Sequence, residues 1–264
     1  MGGVKLTHPD RIVFAAQGAT KLDIAEYMRD VASRMMPYLK NHPVSLVRCP
    51  SGVDGTCFYQ KHHADSMPAA IGKTRIQEKD GDWADYIVLN SAEALISAAQ
   101  IGALELHVWA AKTDRLDRPD RLVFDLDPDA SVDFGAVKTA AQEIRDVLAR
   151  ANLQSFPLLT GGKGIHVVSP LERRADWATL KAAAKAVAEY MARGSPDRYV
   201  SVASKAKRKG KIYIDWLRNE RGATAVCPYS LRARPGAPVA TPLAWMELAY
   251  IDSAAQYNLS NIRQ

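Results

Sequence analysis

Two aspartates, Asp125 and Asp127, interrupt the apolar segment "RLVFDLDP" at residues 121–128. Successive side chains of a strand point to opposite faces, so the two carboxylates share one face and the apolar side chains share the other. Along the strand the carboxylates would stand roughly 7 Å apart. Because like charges at that spacing disfavour each other unless a cation or protons intervene, we expect positive charge beside them.

A third carboxylate follows about ninety residues later, in the segment "KIYIDW". Alternation places Ile212 and Ile214 on one face of this predicted strand and Tyr213 and Asp215 on the other. Divalent cations prefer oxygen ligands, and enzymes of phosphoryl transfer hold metals that bridge phosphate oxygens. Asp215 together with the first two aspartates therefore predicts a metal cage.

The aspartate pair alone has two other interpretations. Phosphatases of the haloacid-dehalogenase type carry Asp-x-Asp after an apolar strand, with the first aspartate as nucleophile. They usually have Thr or Val two residues past the second aspartate, where this chain has Asp129. The simpler alternative is a strand end with solvated or capping aspartates.

A glycine-rich segment, "LLTGGKGIHVVSPL" at residues 158–171, supplies groups that complement an acidic cluster. Glycine turns let backbone N–H groups approach an anion closely. Thr160 offers a hydroxyl, Lys163 a positive charge and His166 an imidazole. The segment matches neither a Walker loop nor a dinucleotide-binding fingerprint, and an ordinary hairpin with glycines at its turn is the alternative.

Basic residues cluster near the same motifs. The loop "SKAKRKGK" at residues 204–211 has five basic residues, including Arg208, and "PYSLRARPG" adds Arg232 and Arg234. Such a loop can neutralise a triphosphate or a nucleic-acid backbone, although charge runs are usually solvated surface. His107, inside the apolar strand "LELHVWA", is the remaining polar candidate, and a satisfied core histidine is its alternative.

The pattern of elements indicates an α+β fold. Thr20 and Asp23 form a near capping box at the start of the first helix, and residues 177–194 form the last helix. Strands and helices interleave without a strict βα repeat, and two strands are joined by only four residues. We therefore expect a central mixed or antiparallel sheet with packed helices, in one domain with a small N-terminal extension.

The composition limits the class of binding partner that we expect. The 264 residues are 47% hydrophobic and carry a formal net charge of +6, which favours phosphate-bearing partners. We expect no membrane span and no signal peptide. The three cysteines predict free thiols in a reducing cytosol, and we take Cys49, Cys57, His62 and His63 as structural because their spacing matches no zinc pattern.

Several separated motifs, in order, resemble the polymerase domain of bacterial ligase D. They are "LTHPDRIVFAAQGATKLDIAEY", "RCPSGVDGTCFYQKH", "LELH", "LVFDLDPD", "TGGKGIHVVSPL" and "IYIDW…CPYSLRAR", and they cover nearly the whole chain. That family belongs to the archaeo-eukaryotic primase superfamily and acts in non-homologous end joining. The resemblance implies a primase-like α+β fold over residues 1–264, with residues 1–80 as a DNA-end-binding part and residues 81–264 as a catalytic core.

The resemblance also implies a role for each matching residue. Asp125, Asp127 and Asp215 match the catalytic, metal-binding aspartates of the family. The positions that hold the incoming nucleotide are His107, Thr160, Lys163, His166, Arg208 and Arg232. Arg11 and Lys21 match the recognition site for a downstream 5′-phosphate. Phe58 and Tyr59 match an aromatic pair that stacks on template bases.

As implied by the resemblance, the activity is template-directed nucleotidyl transfer, with Mn²⁺ or Mg²⁺, nucleoside triphosphates and gapped DNA ends. Ku and a ligase module are expected partners in the bacterial cytoplasm, at the nucleoid. The sequence departs from the family where Arg218 replaces a usual Gln and Ala223 a usual Lys, and Arg221 is offered as a substitute. A stand-alone primase, a lesion-bypass primase-polymerase and a non-catalytic end-binding module remain alternatives.

Overall fold

The computed structural model describes residues 3–262, which form fourteen strands and four α-helices. In chain order the strands are β1 (Ile12–Phe14), β2 (Ala19–Thr20), β3 (Pro43–Arg48), β4 (Phe58–Gln60), β5 (Gly72–Gln77), β6 (Trp83–Val88), β7 (Ala103–Trp109), β8 (Arg121–Pro128), β9 (Phe156–Leu159), β10 (Ile165–Pro170), β11 (Tyr199–Val200), β12 (Ile212–Asp215), β13 (Thr224–Val226) and β14 (Thr241–Pro242).

The four helices each begin with a side-chain cap. They are α1 (Lys21–Leu39), α2 (Ala92–Gln100), α3 (Phe134–Arg150) and α4 (Trp177–Gly194). The predicted start of α1 is confirmed. Thr20 accepts a hydrogen bond from the backbone of Asp23, and the Asp23 carboxylate accepts one in return from the backbone of Thr20.

Most of the strands build two six-stranded sheets. The aspartate sheet has the order β11-β12-β8-β10-β9-β14, and the histidine sheet, named for His107, has the order β13-β7-β3-β6-β5 with β4 also paired to β3. The strands pair antiparallel except β11 with β12, which pair parallel. The expected α+β class with a mixed, largely antiparallel sheet is confirmed, but the polar residues of interest are divided between two sheets.

Each sheet buries one face under helices. Helices α1 and α2 pack in the core of the histidine sheet, and α3 and α4 pack in the core of the aspartate sheet. Leu122, Phe124 and Leu126 are at most 3% exposed and point into the second core, as alternation along β8 predicts. The opposite face of β8 is thereby left for Asp125 and Asp127.

The expected boundary near residue 80, between a DNA-end-binding part and a catalytic core, lies inside the β5–β6 hairpin. Strand β5 pairs with β6 along its whole length, from Gly72 opposite Val88 to Gln77 opposite Trp83. Strand β3 pairs with β7 in the same sheet. The separate roles of residues 1–80 and 81–264 therefore stay a prediction about function. Within residues 3–262, no helix combines the length and the hydropathy needed to cross a membrane.

The expectation of free thiols is wrong for Cys49 and Cys57, which form a disulfide. Strands β3 and β4 pair antiparallel with Arg48 opposite Phe58, so Cys49, which follows Arg48, comes opposite Cys57, which precedes Phe58. Their Cα atoms are 4.3 Å apart, about the shortest separation that a disulfide usually spans. Cys227 is a free, buried thiol.

Candidate active site

The three aspartates meet on the open face of the aspartate sheet. Strands β8 and β12 pair antiparallel with Asp215 opposite Asp125, and alternation puts Asp127 on the same face. One carboxylate oxygen from each residue can be chosen so that all lie within 4.8 Å of one another. Asp125 and Asp215 are buried, whereas the side chain of Asp127 is 49% exposed.

The pKa values of the aspartates show the repulsion expected of crowded carboxylates. Burial, with the charges of Asp125 and Asp215, raises the pKa of Asp127 to about 6. Burial acts in the same direction on Asp125, but His166 and Arg218 outweigh it and hold the pKa of Asp125 at about 2. Three carboxylates with converging oxygens fit a hard divalent cation such as Mn²⁺ or Mg²⁺.

Arg218 is the cation that sequence reasoning treated only as a departure. Its Nη2 lies 3.0 Å from Asp125 Oδ2, and its Nε lies 3.2 Å from Asp215 Oδ2. The guanidinium therefore lies against two of the three aspartates. A signal was present in the sequence, since Arg218 follows Asp215 by three residues at the end of a strand.

Asp127 has a looser cationic neighbour in Arg208. An Arg208 nitrogen lies 3.8 Å from Asp127 Oδ2, and the guanidinium carbon lies 3.8 Å from the centre of the Tyr213 ring. Tyr213 in turn donates its hydroxyl to Asp215 at 3.3 Å. The basic loop of residues 204–211 thus reaches the acidic cluster through this arginine.

The glycine-rich segment forms the hairpin between β9 and β10. Gly161 has a φ of +68°, and a Cβ on Gly164 would lie 2.2 Å from the carbonyl oxygen of Leu126, so neither turn position tolerates a side chain easily. Thr160 donates its hydroxyl to the Gly164 carbonyl at 2.9 Å. His166 faces Asp125 across the strands, with its Nε2 at 3.3 Å from Asp125 Oδ1 and its Nδ1 buried without a partner in the described chain.

Across the cleft, the histidine sheet contributes a buried ion cluster centred on Glu105. This carboxylate lies 2.8 Å from His107 Nε2 and 3.0 Å from Arg232 Nε, and it accepts the Ala233 amide at 2.9 Å. Arg232 also donates to the carbonyl of Thr160 on the other sheet. Sequence reasoning missed Glu105, although it stands two residues before His107 and so shares its face in "LELH".

A cavity of about 360 Å³ lies between the two sheets. The predicted residues that line it are Tyr59, His107, Asp125, Asp127, Thr160, Lys163, His166 and Arg232, and Arg218 and Arg234 line it as well. Asp215 and Arg208 do not line the cavity themselves, but each contacts a residue that does: Asp215 contacts Arg218, and Arg208 contacts Asp127. The expectation that His107 faces the aspartates rather than a remote core is therefore supported by its position.

A second cavity, of about 310 Å³, holds Arg11 and Lys21 together with Arg48. Lys21 donates to the Thr7 carbonyl at 2.9 Å, and Arg11 donates to the Pro50 carbonyl at 2.9 Å. Burial, and then the charge of Arg11, lower the pKa of Lys21. These two residues are together, as the downstream-phosphate hypothesis requires.

The predicted aromatic pair lies between the two cavities. The Phe58 ring has the Arg48 guanidinium 5.3 Å from its centre, on the side of the second cavity. The Tyr59 ring lies 5.6 Å from the His107 ring and lines the first cavity. Both residues are exposed, Phe58 at 42% and Tyr59 at 68%. Because they are consecutive in a strand, they cannot stack on the same face.

Arg221, which we suggested as a substitute for the usual family residues, does not enter the cleft. Arg221 lies 3.5 Å from Asp117 and donates to the Gln77 carbonyl at 3.1 Å. With Ala223 it lines a separate cavity of about 520 Å³. The cation nearest the aspartates is therefore Arg218 and not Arg221.

Comparison with known proteins identifies the family of the chain. A family model described as "LigD, primase-polymerase domain" matches residues 20–264. The chain belongs to this family. It is 39% identical over 262 residues to the multifunctional non-homologous end joining protein LigD of Pseudomonas aeruginosa, covering 99% of this chain and 31% of that protein.

Other relatives show the same relation to longer proteins. The bifunctional non-homologous end joining protein LigD of Bacillus subtilis is 31% identical over 98% of this chain and 42% of its own length. The chain thus spans less than half of the LigD proteins that it matches. Among solved structures, the polymerase domain of Mycobacterium tuberculosis ligase D in complex with DNA superimposes with a TM-score of 0.90 and 32% identity. That match covers 98% of this chain and 93% of the other. The primase-like fold is thereby confirmed.

Proposed function

We propose that this LigD primase-polymerase domain is a template-directed nucleotidyltransferase, a DNA-dependent DNA and RNA polymerase that fills gaps and extends ends in non-homologous end joining. The observation that carries the proposal is the cluster of Asp125, Asp127 and Asp215 at the edge of a cationic cavity. Phosphoryl transfer needs this combination, because carboxylates hold the metals and cations neutralise the phosphates.

The three aspartates would hold the divalent metals in a two-metal arrangement. When bound, such ions lower the pKa of a primer 3′-hydroxyl and neutralise charge on the pyrophosphate leaving group. The chain's own task is to fix the carboxylates, which it does through the register of β8 and β12. No protein side chain has to act as a general base. The resemblance favours Mn²⁺ over Mg²⁺.

The incoming nucleotide would occupy the cavity between the sheets. Its volume of about 360 Å³ is within the range of small-molecule sites. Lys163, Arg208 and Arg232 are the cations for the phosphates. Thr160, His107 and His166 supply a hydroxyl and two imidazoles for phosphate or sugar oxygens. A preference for ribonucleotides, implied by the resemblance, belongs to this proposal.

The DNA would lie over the aromatic pair and the second cavity. Phe58 and Tyr59 offer exposed rings on which template bases can stack. Arg11 and Lys21 offer convergent cations for the 5′-phosphate on the far side of a gap. The solved relative is a complex with DNA, which supports a nucleic-acid partner for this chain.

The place of the chain in a cell is part of the same proposal. Ku and a ligase module are the expected partners, because the matching LigD proteins are named as multifunctional or bifunctional end-joining proteins. We place the activity in the bacterial cytoplasm, at the nucleoid.

The deciding experiment is extension of a gapped duplex, with and without a downstream 5′-phosphate. Ribonucleotides and deoxyribonucleotides are supplied separately, with Mn²⁺ or Mg²⁺, and the released product is assayed. Template-dependent extension with pyrophosphate release, stimulated by the 5′-phosphate, is the expected result.

Each alternative predicts a different outcome of that experiment. A primase would begin synthesis on unprimed single strands. A phosphatase would release inorganic phosphate instead of pyrophosphate. An end-binding module would bind the gapped duplex without extending it. Any of these outcomes, without gap extension, would overturn the proposed activity.

A further inference from the structure

The position of Arg218 conflicts with metal binding by the aspartates that it contacts. Its guanidinium lies 3.0 Å from Asp125 Oδ2 and 3.2 Å from Asp215 Oδ2. A divalent cation bound to the same carboxylates would stand within a few ångströms of this positive charge. Like charges at such distances repel each other even where the surroundings are polarisable, so the two cations compete for one place.

The backbone beside Arg218 is held firmly, so only the side chain is free to leave. The Asn219 side chain accepts from the Val123 amide at 2.8 Å and donates to the Val123 carbonyl at 2.7 Å. The Leu217 amide donates to Asp215 Oδ1 at 2.9 Å. These bonds fix both neighbours of Arg218 to strand β8 and to Asp215.

The cavity between the sheets has room for the Arg218 side chain once it leaves the carboxylates. Arg218 lines it with Lys163, Arg232 and Arg234, and 38% of the Arg218 side chain is already exposed. A guanidinium turned away from the carboxylates would join this cationic wall. An anionic ligand in the cavity would then receive it, since guanidinium groups pair well with phosphate oxygens.

We propose that the Arg218 side chain neutralises Asp125 and Asp215 before metal binds. Its guanidinium then turns away from these carboxylates and pairs with the phosphates of the nucleotide. The second half of this inference rests on the proposed function. The consequence is that metal binding to the nucleotide-free protein is weakened by Arg218, whereas nucleotide binding to the metal-loaded protein is strengthened by it.

The first test measures Mn²⁺ binding to the nucleotide-free, DNA-free protein by calorimetry and by the resonance signal of free Mn²⁺. Arg218→Gln should bind Mn²⁺ about tenfold more tightly than the wild type, a coupling of the usual size between linked sites. Arg221→Gln is the matched control, because it removes the same charge from the same loop away from the aspartates, and it should change the affinity less than about twofold. Equal or weaker binding by Arg218→Gln would overturn the inference.

The second test measures binding of a non-hydrolysable nucleoside triphosphate at saturating Mn²⁺. Arg218→Gln should bind it about tenfold more weakly than the wild type, as expected for loss of a charged phosphate contact. Unchanged affinity would overturn the transfer to phosphate. Neither test uses extension, so failure of the polymerase assay with both shifts intact would count against the proposed function alone.

A third measurement uses the wild-type protein and so does not depend on whether the Arg218 variant folds. Crystals of the wild-type protein soaked in Mn²⁺ should show anomalous density among the three aspartates, with the Arg218 guanidinium more than 4 Å from Asp125 and Asp215. An arginine that keeps both contacts beside a bound Mn²⁺ would overturn the inference.

Discussion

Asp215 lies directly opposite Asp125 in the antiparallel pair of β12 and β8. Like charges at directly opposed positions destabilise a sheet, so the fold keeps this pair against its own stability. Arg218 reduces the repulsion from one side and His166 from the other. A pair of carboxylates that costs stability at the edge of a cleft is characteristic of a functional site.

The three aspartates should be individually essential for extension. Asp125→Ala, Asp127→Ala and Asp215→Ala each remove a ligand from the shared cage, so each should lower gap extension by about a thousandfold or more. DNA affinity, measured by fluorescence anisotropy, should change little because it comes mainly from phosphate contacts elsewhere. One alanine variant with near wild-type extension would show that the cage is not shared.

Much of this site could be predicted because a strand has a period of two residues. Alternation alone placed Asp125 and Asp127 on one face and Phe124 in the core, and the same argument applied to Tyr213 and Asp215. Glu105 carried the same signal two residues before His107 and was missed because an acidic residue in an apolar strand has no recognisable motif of its own.

Other features could not be found in this way. Strands β2, β11 and β14 have two residues each, too few to show a period. In β5 only Ile76 is buried, so its sequence lacks an alternating apolar pattern. The division into two sheets and the disulfide of Cys49 and Cys57 depend on strand pairing, which local sequence does not determine.

Glu105 should act as a positioning residue for nucleotide binding. The hydrogen bond from His107 and the charge of Arg232 outweigh burial and hold the pKa of Glu105 at about 2, while burial lowers the pKa of His107. His107 is then neutral, donates from Nε2 to Glu105 and keeps Nδ1 as an acceptor for a sugar hydroxyl. Glu105→Gln should raise the nucleotide KM by about tenfold, with a smaller change in kcat, because Arg232 loses its partner.

Glu78→Gln is the matched control for that prediction. Glu78 also lies at the histidine sheet and accepts hydrogen bonds from Lys61 and Tyr86, but it lines a different cavity. It should leave the nucleotide KM unchanged. If both variants raise KM equally, Glu105 supports the sheet as a whole and does not position the nucleotide groups.

Asp127 should make the metal-free protein less stable as the pH rises from about 4 to 6. Its pKa is raised from 3.8 to about 6 in the folded state, so the folded protein binds this proton more tightly than the unfolded chain. Between these values stability falls with rising pH. Asp127→Asn removes the effect and should unfold later in urea at pH 8, by about 1 kcal/mol after allowance for solvent screening.

The gain from Asp127→Asn should vanish at pH 4, where the wild-type carboxyl is protonated in the folded state. Both measurements use a chelating buffer. Asp125, whose pKa is held at about 2, loses its stabilising contribution only as the pH falls below about 4, and this loss is common to the wild type and the variant. A gain of the same size at both pH values would contradict the titration of Asp127 as its origin.

Arg11 and Lys21 should decide whether the enzyme prefers a phosphorylated gap. They share one cavity, and the Lys21 amide donates to the Arg11 carbonyl at 2.8 Å, which holds the start of α1 beside Arg11. Two neighbouring cationic side chains suit a phosphate dianion. The double change to Ala should abolish the advantage of a 5′-phosphorylated gap over an unphosphorylated one. Basal extension should survive, because the aspartates and the nucleotide cavity are separate from these residues.

The measurement compares initial extension rates on the two gapped duplexes for both proteins. If the wild type shows no advantage, the end-joining assignment falls behind that of a primase. If the double variant keeps the full advantage, these two residues are ordinary surface charges and the phosphate is recognised elsewhere.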